Sequence, residues 1–169
     1  MAAVADDSFE CIVEIPKGSR NKYEWDHERD KLVLDRFLFS SVVYPTDYGF
    51  VPDTLAADGD PLDAVVCVSE PTFPGCLIPV EVVGMLEMCD EKGEDEKILC
   101  VPRHDPNWTG IERLEDLPEQ LRDEIANFFS IYKQLEYKDV EVAGWRSREA
   151  AWDAIERAHA RRREQPHRA

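Results

Sequence analysis

Apolar and polar side chains alternate along residues 9–15, with Phe9, Cys11, Val13 and Ile15 on one side and Glu10, Ile12 and Glu14 on the other. A period of two predicts a β-strand with one face in the core. Glu14 then lies opposite the apolar row, beside Ile12. A turn follows over 16–21, and short strands are predicted at 22–25 and 31–39. The segment YPTDYGF at 44–50 reads as an aromatic loop, and the β pattern resumes at 65–69, 77–88 and 98–102.

In the second half the period changes. Leu121, Ile125, Phe128, Tyr132 and Leu135 recur at three- and four-residue intervals, which predicts an amphipathic helix entered near Pro118. A second helix is predicted after Ser147, turning Trp152, Ile155 and Ala158 inward. The basic end, ARRREQPHRA, is expected to fray from about residue 162 to 169, and residues 1–8 to be a loose leader. No repeat or linker interrupts the chain, so residues 1–169 read as a single domain. Strands first and helices last give an α+β class, mainly β: a small closed or nearly closed β-barrel flanked by helices near the C-terminus.

Charge narrows the function. The 169 residues carry 36 acids against 20 bases, a formal charge of −16. Such a surface repels nucleic acid and anionic lipid and concentrates cations. No apolar run is long enough to span a bilayer. The five cysteines are widely spaced, with no CxxC or Cys/His cluster, so zinc of the usual spacing is not indicated. The start, MAAVADDS, lacks the pattern of a signal peptide. These features describe a soluble protein of a reducing cytoplasm.

The hexapeptide DGDPLD at 58–63 places three short carboxylates where neither helix nor straight strand can align them. Gly59 permits a tight turn and Pro61 fixes one φ, so a rigid loop can aim Asp58, Asp60 and Asp63 at one place. Either a hard divalent cation sits between them or the loop is a solvated acidic turn. A second acidic run, DEKGEDEK at 90–97, surrounds Gly93 and suits a hairpin turn. It too is a solvated turn or, beside the first loop, a partner in holding several cations. All-oxygen ligands favour Mg²⁺ or Mn²⁺ over zinc or copper, and cations held this way serve phosphate substrates. Lys22, Arg36, Lys97 and Lys133, with the hydroxyls of Tyr44, Tyr48 and Tyr132, could hold phosphate oxygens.

The pattern DGDPLDA at 58–64 resembles the signature of the soluble family I inorganic pyrophosphatases. EIPKGSRNKYE at 14–24, LDRF at 34–37, YPTDYGF at 44–50, DEKGEDEK at 90–97 and FFSIYKQLE at 128–136 are similar to further blocks of that family, in its order. The resemblance implies a five-stranded OB-like barrel and a Mg²⁺-dependent diphosphatase with several ions per site. By it, Asp58, Asp63 and Asp95 match the ligands of the tightest metal, and Asp90 with Asp95 those of metals arriving with substrate. Glu14, Glu24 and Glu91 match outer acids. Asp60 matches the base that takes a proton from the attacking water. Lys22, Arg36, Tyr48, Lys97, Tyr132 and Lys133 match the phosphate-binding set, of which Lys22, Arg36 and Tyr48 count with Asp60 as catalytic, and Tyr44 is a supporting aromatic. The implied partners are pyrophosphate and phosphate, and the short bacterial type implies a homo-oligomer, a hexamer. Cys89 departs from the Thr or Val expected before Asp90, and His27 is either a surface residue or a pH-tuning one.

Chemistry supports such an arrangement. Divalent ions bridge an acidic protein to a small polyanion, and ions flanking one water lower its pKa from about 15.7 toward neutrality. Direct attack of that water on phosphorus, giving two orthophosphates, needs no covalent intermediate. An aspartyl-phosphate phosphatase would need DxDx[TV] directly after an apolar strand, which DGDPLD does not provide. A non-catalytic metal buffer accounts for the acids but not for Lys22, Arg36, Tyr48 and the Tyr132–Lys133 pair.

Overall fold

A computed structural model describes residues 9–167. The expected leader at 1–8 and the last two residues of the expected tail lie outside the described residues. Among the described residues eight strands form: β1 (Phe9–Ile15), β2 (Asn21–Asp26), β3 (Lys31–Phe37), β4 (Asp47–Phe50), β5 (Asp63–Val66), β6 (Leu77–Asp90), β7 (Gly93–Pro102) and β8 (Glu141–Arg146). Two α-helices follow the same chain order, α1 (Glu119–Ile131) and α2 (Arg148–Glu164).

Five strands close into a ring in the order β1-β4-β5-β7-β6, with β6 returning to β1. β5 and β7 run parallel and the other ring pairs antiparallel. β8 extends the sheet beyond β6, while β2 and β3 form a separate hairpin. The expected OB-like architecture, mainly β with two helices late in the chain, is what forms. Closure removes the ring's free edges.

Two apolar clusters hold the ring and its helices together, and each includes one helix. Val80, Val82, Met85 and Ile98 pack with Ala151, Ala154, Ile155 and Ala158 of α2. Val65, Leu86, Met88 and Leu99 pack with Ile125, Phe128 and Phe129 of α1. Small residues on α2 let it lie close to the sheet. Gly49 in β4 meets the same requirement more severely, since a Cβ there would fall 1.8 Å from the Ile12 carbonyl oxygen in β1.

Several boundaries differ from the sequence reading. The 44–50 segment is not wholly loop: its last four residues form β4. β7 begins at Gly93, so Asp95, Glu96 and Lys97 are strand residues rather than part of a turn. The first helix ends at Ile131, and Leu135, expected on its apolar stripe, is 55% exposed in a short 3-10 turn. The second helix runs to Glu164, because Arg161, Arg162 and Arg163 suit the negative end of its dipole. The tail therefore does not fray from 162. β8 was not foreseen.

Candidate active site

The strand register assembles the site. Asp63 opens β5 and stands beside Lys97 of β7 in the parallel pairing, while Asp95 shares the face of Lys97 two residues earlier. In β1 the pairing with β4 slips between Val13 and Ile15, leaving Glu14 as the extra residue of a bulge. DGDPLD is a rigid turn, as expected. Gly59 adopts φ +91°, the Asp60 N–H donates to Asp58 Oδ1 at 3.0 Å, and the Leu62 N–H donates to Thr54 Oγ1 at 2.9 Å.

These elements border one cleft of about 400 Å³. Glu14, Lys22, Glu24, Tyr48, Asp58, Asp60, Asp63, Asp90, Asp95, Lys97, Tyr132 and Lys133 all line it. Of the residues singled out from the sequence for metal, substrate or catalysis, only Arg36, Glu91 and Tyr44 do not. Arg36 is ion-paired to Asp35 and, through Nε at 2.8 Å, to Glu136. Glu91 sits between Lys133 and Lys138, 3.6 Å from each ammonium. The supporting Tyr44 is buried against Tyr48 and Phe128.

Lys97 lies at the centre, its side chain 2% exposed. Its Nζ donates to Tyr48 Oη at 2.8 Å, Asp63 Oδ2 at 3.0 Å and Asp95 Oδ2 at 3.1 Å. Burial alone would discharge the ammonium, but the Asp63 and Asp95 carboxylates overcome it and hold Lys97 charged. Burial, reinforced by Asp63, pushes Asp95 up to about 6. Burial also pushes Glu14 up to about 7, although the Trp25 N–H donates to it at 2.7 Å. Asp60 is raised by burial and by Asp58. Asp90 goes the other way. Its burial is outweighed by the Lys92 N–H and by Lys133, whose Nζ is 3.2 Å away.

Seven carboxylates face four lysines across the cleft, and its lining holds no cysteine. Among the described residues no three acidic, His or Cys side chains form a ready-made cage for one ion. Asp63 and Asp95 converge on the Lys97 ammonium, and Asp90 on that of Lys133. Burial is the main cause of the raised proton affinities of Glu14 and Asp95, and the excess of seven carboxylates over four lysines leaves the cleft short of positive charge. That donor set, oxygen-rich and under-neutralised, fits hard divalent cations.

Sequence reasoning missed Lys92 and Trp25 as cleft residues, and Asp35 and Glu136 as the partners of Arg36, while His27, expected as either a surface or a pH-tuning residue, borders the cleft. Asp35 and Lys92 lie inside motifs already noted, LDRF and DEKGEDEK. Glu136 carried no signal beyond its place in FFSIYKQLE.

A family model described as inorganic pyrophosphatase matches residues 11–163. An inorganic pyrophosphatase of Methanosarcina mazei is 60% identical over 163 residues, covering 96% of each chain. One from Streptomyces coelicolor is 53% identical, covering 93% of this chain and 97% of the relative. The crystal structure of the Thermus thermophilus inorganic pyrophosphatase superposes with a TM-score of 0.91 at 44% identity, over 95% of this chain and 94% of that one.

Proposed function

The chain belongs to the inorganic pyrophosphatase family of metal-dependent hydrolases of diphosphate, and we propose that it splits inorganic pyrophosphate into two orthophosphates by Mg²⁺-dependent direct attack of water. The observation that carries this reading is the convergence of the DGDPLD carboxylates, the acidic hairpin and four lysines on one cleft.

Asp58, Asp63 and Asp95, with Asp90, Glu14, Glu24 and Glu91 around them, would hold Mg²⁺, or Mn²⁺ in its place, which supplies charge to bridge the substrate and lowers the pKa of attacking water. Asp60 then takes the water's proton, a role helped by the proton affinity that burial and Asp58 give it. Tyr48 accepts a hydrogen bond from Lys97, which leaves its own O–H to donate to a phosphate oxygen. Burial keeps that phenol neutral. Lys22, Lys133 and Tyr132 face the same space and would spread the charge of the leaving phosphate. Arg36 would join them by exchanging Glu136 or Asp35 for a phosphate oxygen.

Asp60→Asn tests the assignment of the base. It should leave far-UV circular dichroism unchanged and lower kcat by about two to four orders of magnitude, most at low pH. Parental turnover in this variant would remove Asp60 from the mechanism. Asp63→Ala should instead raise the Mg²⁺ concentration needed for half-maximal activity.

We further propose a cytoplasmic homo-oligomer, a hexamer. Exposed Leu34, Phe37, Phe39 and Val43, each 46% or more accessible, support burial against another copy. Light scattering after size exclusion would measure it, and a monomer at micromolar concentration would refute it. No helix among the described residues is long and apolar enough to cross a membrane.

A further inference from the structure

Lys92 sits at the tip of the hairpin that joins β6 to β7. Asp90 pairs with Gly93 across the hairpin, so Glu91 and Lys92 form a two-residue turn. Gly93 adopts φ +108°, and the Lys92 N–H donates to Asp90 Oδ1 at 2.8 Å. The backbone of Lys92 is thereby fixed while its side chain stays exposed and borders the cleft. Its charge is felt at Asp60, where it opposes the effects of burial and of Asp58.

The other three lysines of the cleft are already engaged. Lys97 is held by Asp63 and Asp95, Lys133 by Asp90, and Lys22 by Glu24 and Asp35. Among the described residues, Lys92 Nζ makes no ion pair. An arriving polyanion must compete with carboxylates for three of these ammonium groups, and it meets the fourth without competition. Asp58, Asp60, Asp90 and Glu24 border the same cleft, so an uncompensated cation there changes the local field most where the substrate enters.

We infer that Lys92 is a further substrate-binding residue, a cation at the cleft mouth that captures the phosphate polyanion and guides it to the lysines inside. The inference rests on the pyrophosphatase reading of the cleft. Because the contact is made on entry and kept to a similar extent through the reaction, it acts on KM and kcat/KM rather than on kcat.

The test compares Lys92→Ala, Lys92→Glu and Lys92→Arg with the parental enzyme, using pyrophosphate and saturating Mg²⁺ at ionic strengths of about 20 and 200 mM. Lys92→Ala should raise KM about three- to tenfold, with kcat within about twofold, and the gap should shrink at the higher salt. Lys92→Glu should exceed it, and Lys92→Arg should stay near parental values. A purely structural role in the turn would lower the thermal midpoint and would not follow the sign of the charge. An unchanged KM and salt dependence in Lys92→Glu, with an active parental enzyme, would overturn the inference alone. A parental enzyme without turnover would overturn it together with the pyrophosphatase reading.

Discussion

Replacing Lys97 with methionine removes the cation at the centre of the cleft while keeping most of the side-chain volume. Asp63 and Asp95, whose oxygens lie 3.0 and 3.1 Å from its Nζ, are then left facing each other. Stripping one partner from a buried ion pair costs roughly 3–5 kcal/mol. Asp63 keeps 26% of its side-chain surface and Asp95 12%, so water screens part of the repulsion. A loss of about 3 kcal/mol is therefore expected at pH 8. The loss should be relieved by acid, since Asp95 already has a folded value of about 6 and would be raised further without Lys97. A folded value above the unfolded one means that stability is regained as pH falls through it. The assay is urea unfolding followed by tryptophan fluorescence, in EDTA, at pH 8 and 5.5 and at one protein concentration. The variant should lose about 3 kcal/mol at pH 8 and clearly less at pH 5.5, with the slope m unchanged. Millimolar Mg²⁺ should then stabilise Lys97→Met more than the parent, because the freed carboxylate pair gains a cation. A cost below about 1 kcal/mol, or an equal cost at both pH values, would refute the reasoning.

Two further predictions concern β1. Glu14, 8% exposed with a folded value of about 7, binds its proton more tightly in the folded than in the unfolded chain. Its contribution is complete below about pH 4.5 and is lost as pH rises through 7. Glu14→Gln should thus stabilise the metal-free protein by about 2–3 kcal/mol at pH 8 and by little at pH 4.5. Denaturant midpoints at the two pH values check this, and a destabilised variant at pH 8 in EDTA would contradict it. Gly49→Ala forces apart strands that approach within 1.8 Å of the added carbon. It should cost at least about 2 kcal/mol, read as a fall of several degrees in the thermal midpoint, and an unchanged midpoint would show that the ring can yield there.

The parts of this fold that were legible in the sequence are those where one local signal dominates. β1 shows strict alternation, α2 a capped apolar stripe behind Ser147, whose side chain accepts from the Ala150 N–H, and DGDPLD the turn chemistry of Gly59 and Pro61. β4 is only four residues and hides among aromatics and a proline. β8 is half-exposed and contains Gly144, so its pairing with β6 leaves no clear period. The start of β7 reads as a charged turn because pairing with β6, which no local apolar alternation announces, holds Glu94 and Asp95 extended. Helix α1 stops before its periodic pattern does, since Lys133 leaves helical geometry at φ −103° and ψ 4°, and the chain goes on into a 3-10 turn that ends at left-handed Tyr137.

The site divides in the same manner. Which carboxylates and cations belong together followed from recognisable blocks, and the cleft collects nearly all of them. Their pairings could not be read in advance. That Lys97 is the buried hub depends on the parallel register that sets it beside Asp63. That Arg36 faces Glu136 depends on where the chain goes after α1, and no local pattern encodes this. Lys92 looked like one charge in a solvated run until the hairpin placed it over the cleft.

Phosphate release from pyrophosphate by the purified protein, titrated with Mg²⁺ and then with excess EDTA, tests the central claim most directly. The account predicts rapid release that rises with Mg²⁺ and stops on chelation. Release that persists undiminished in EDTA, or none with any divalent cation, would contradict it.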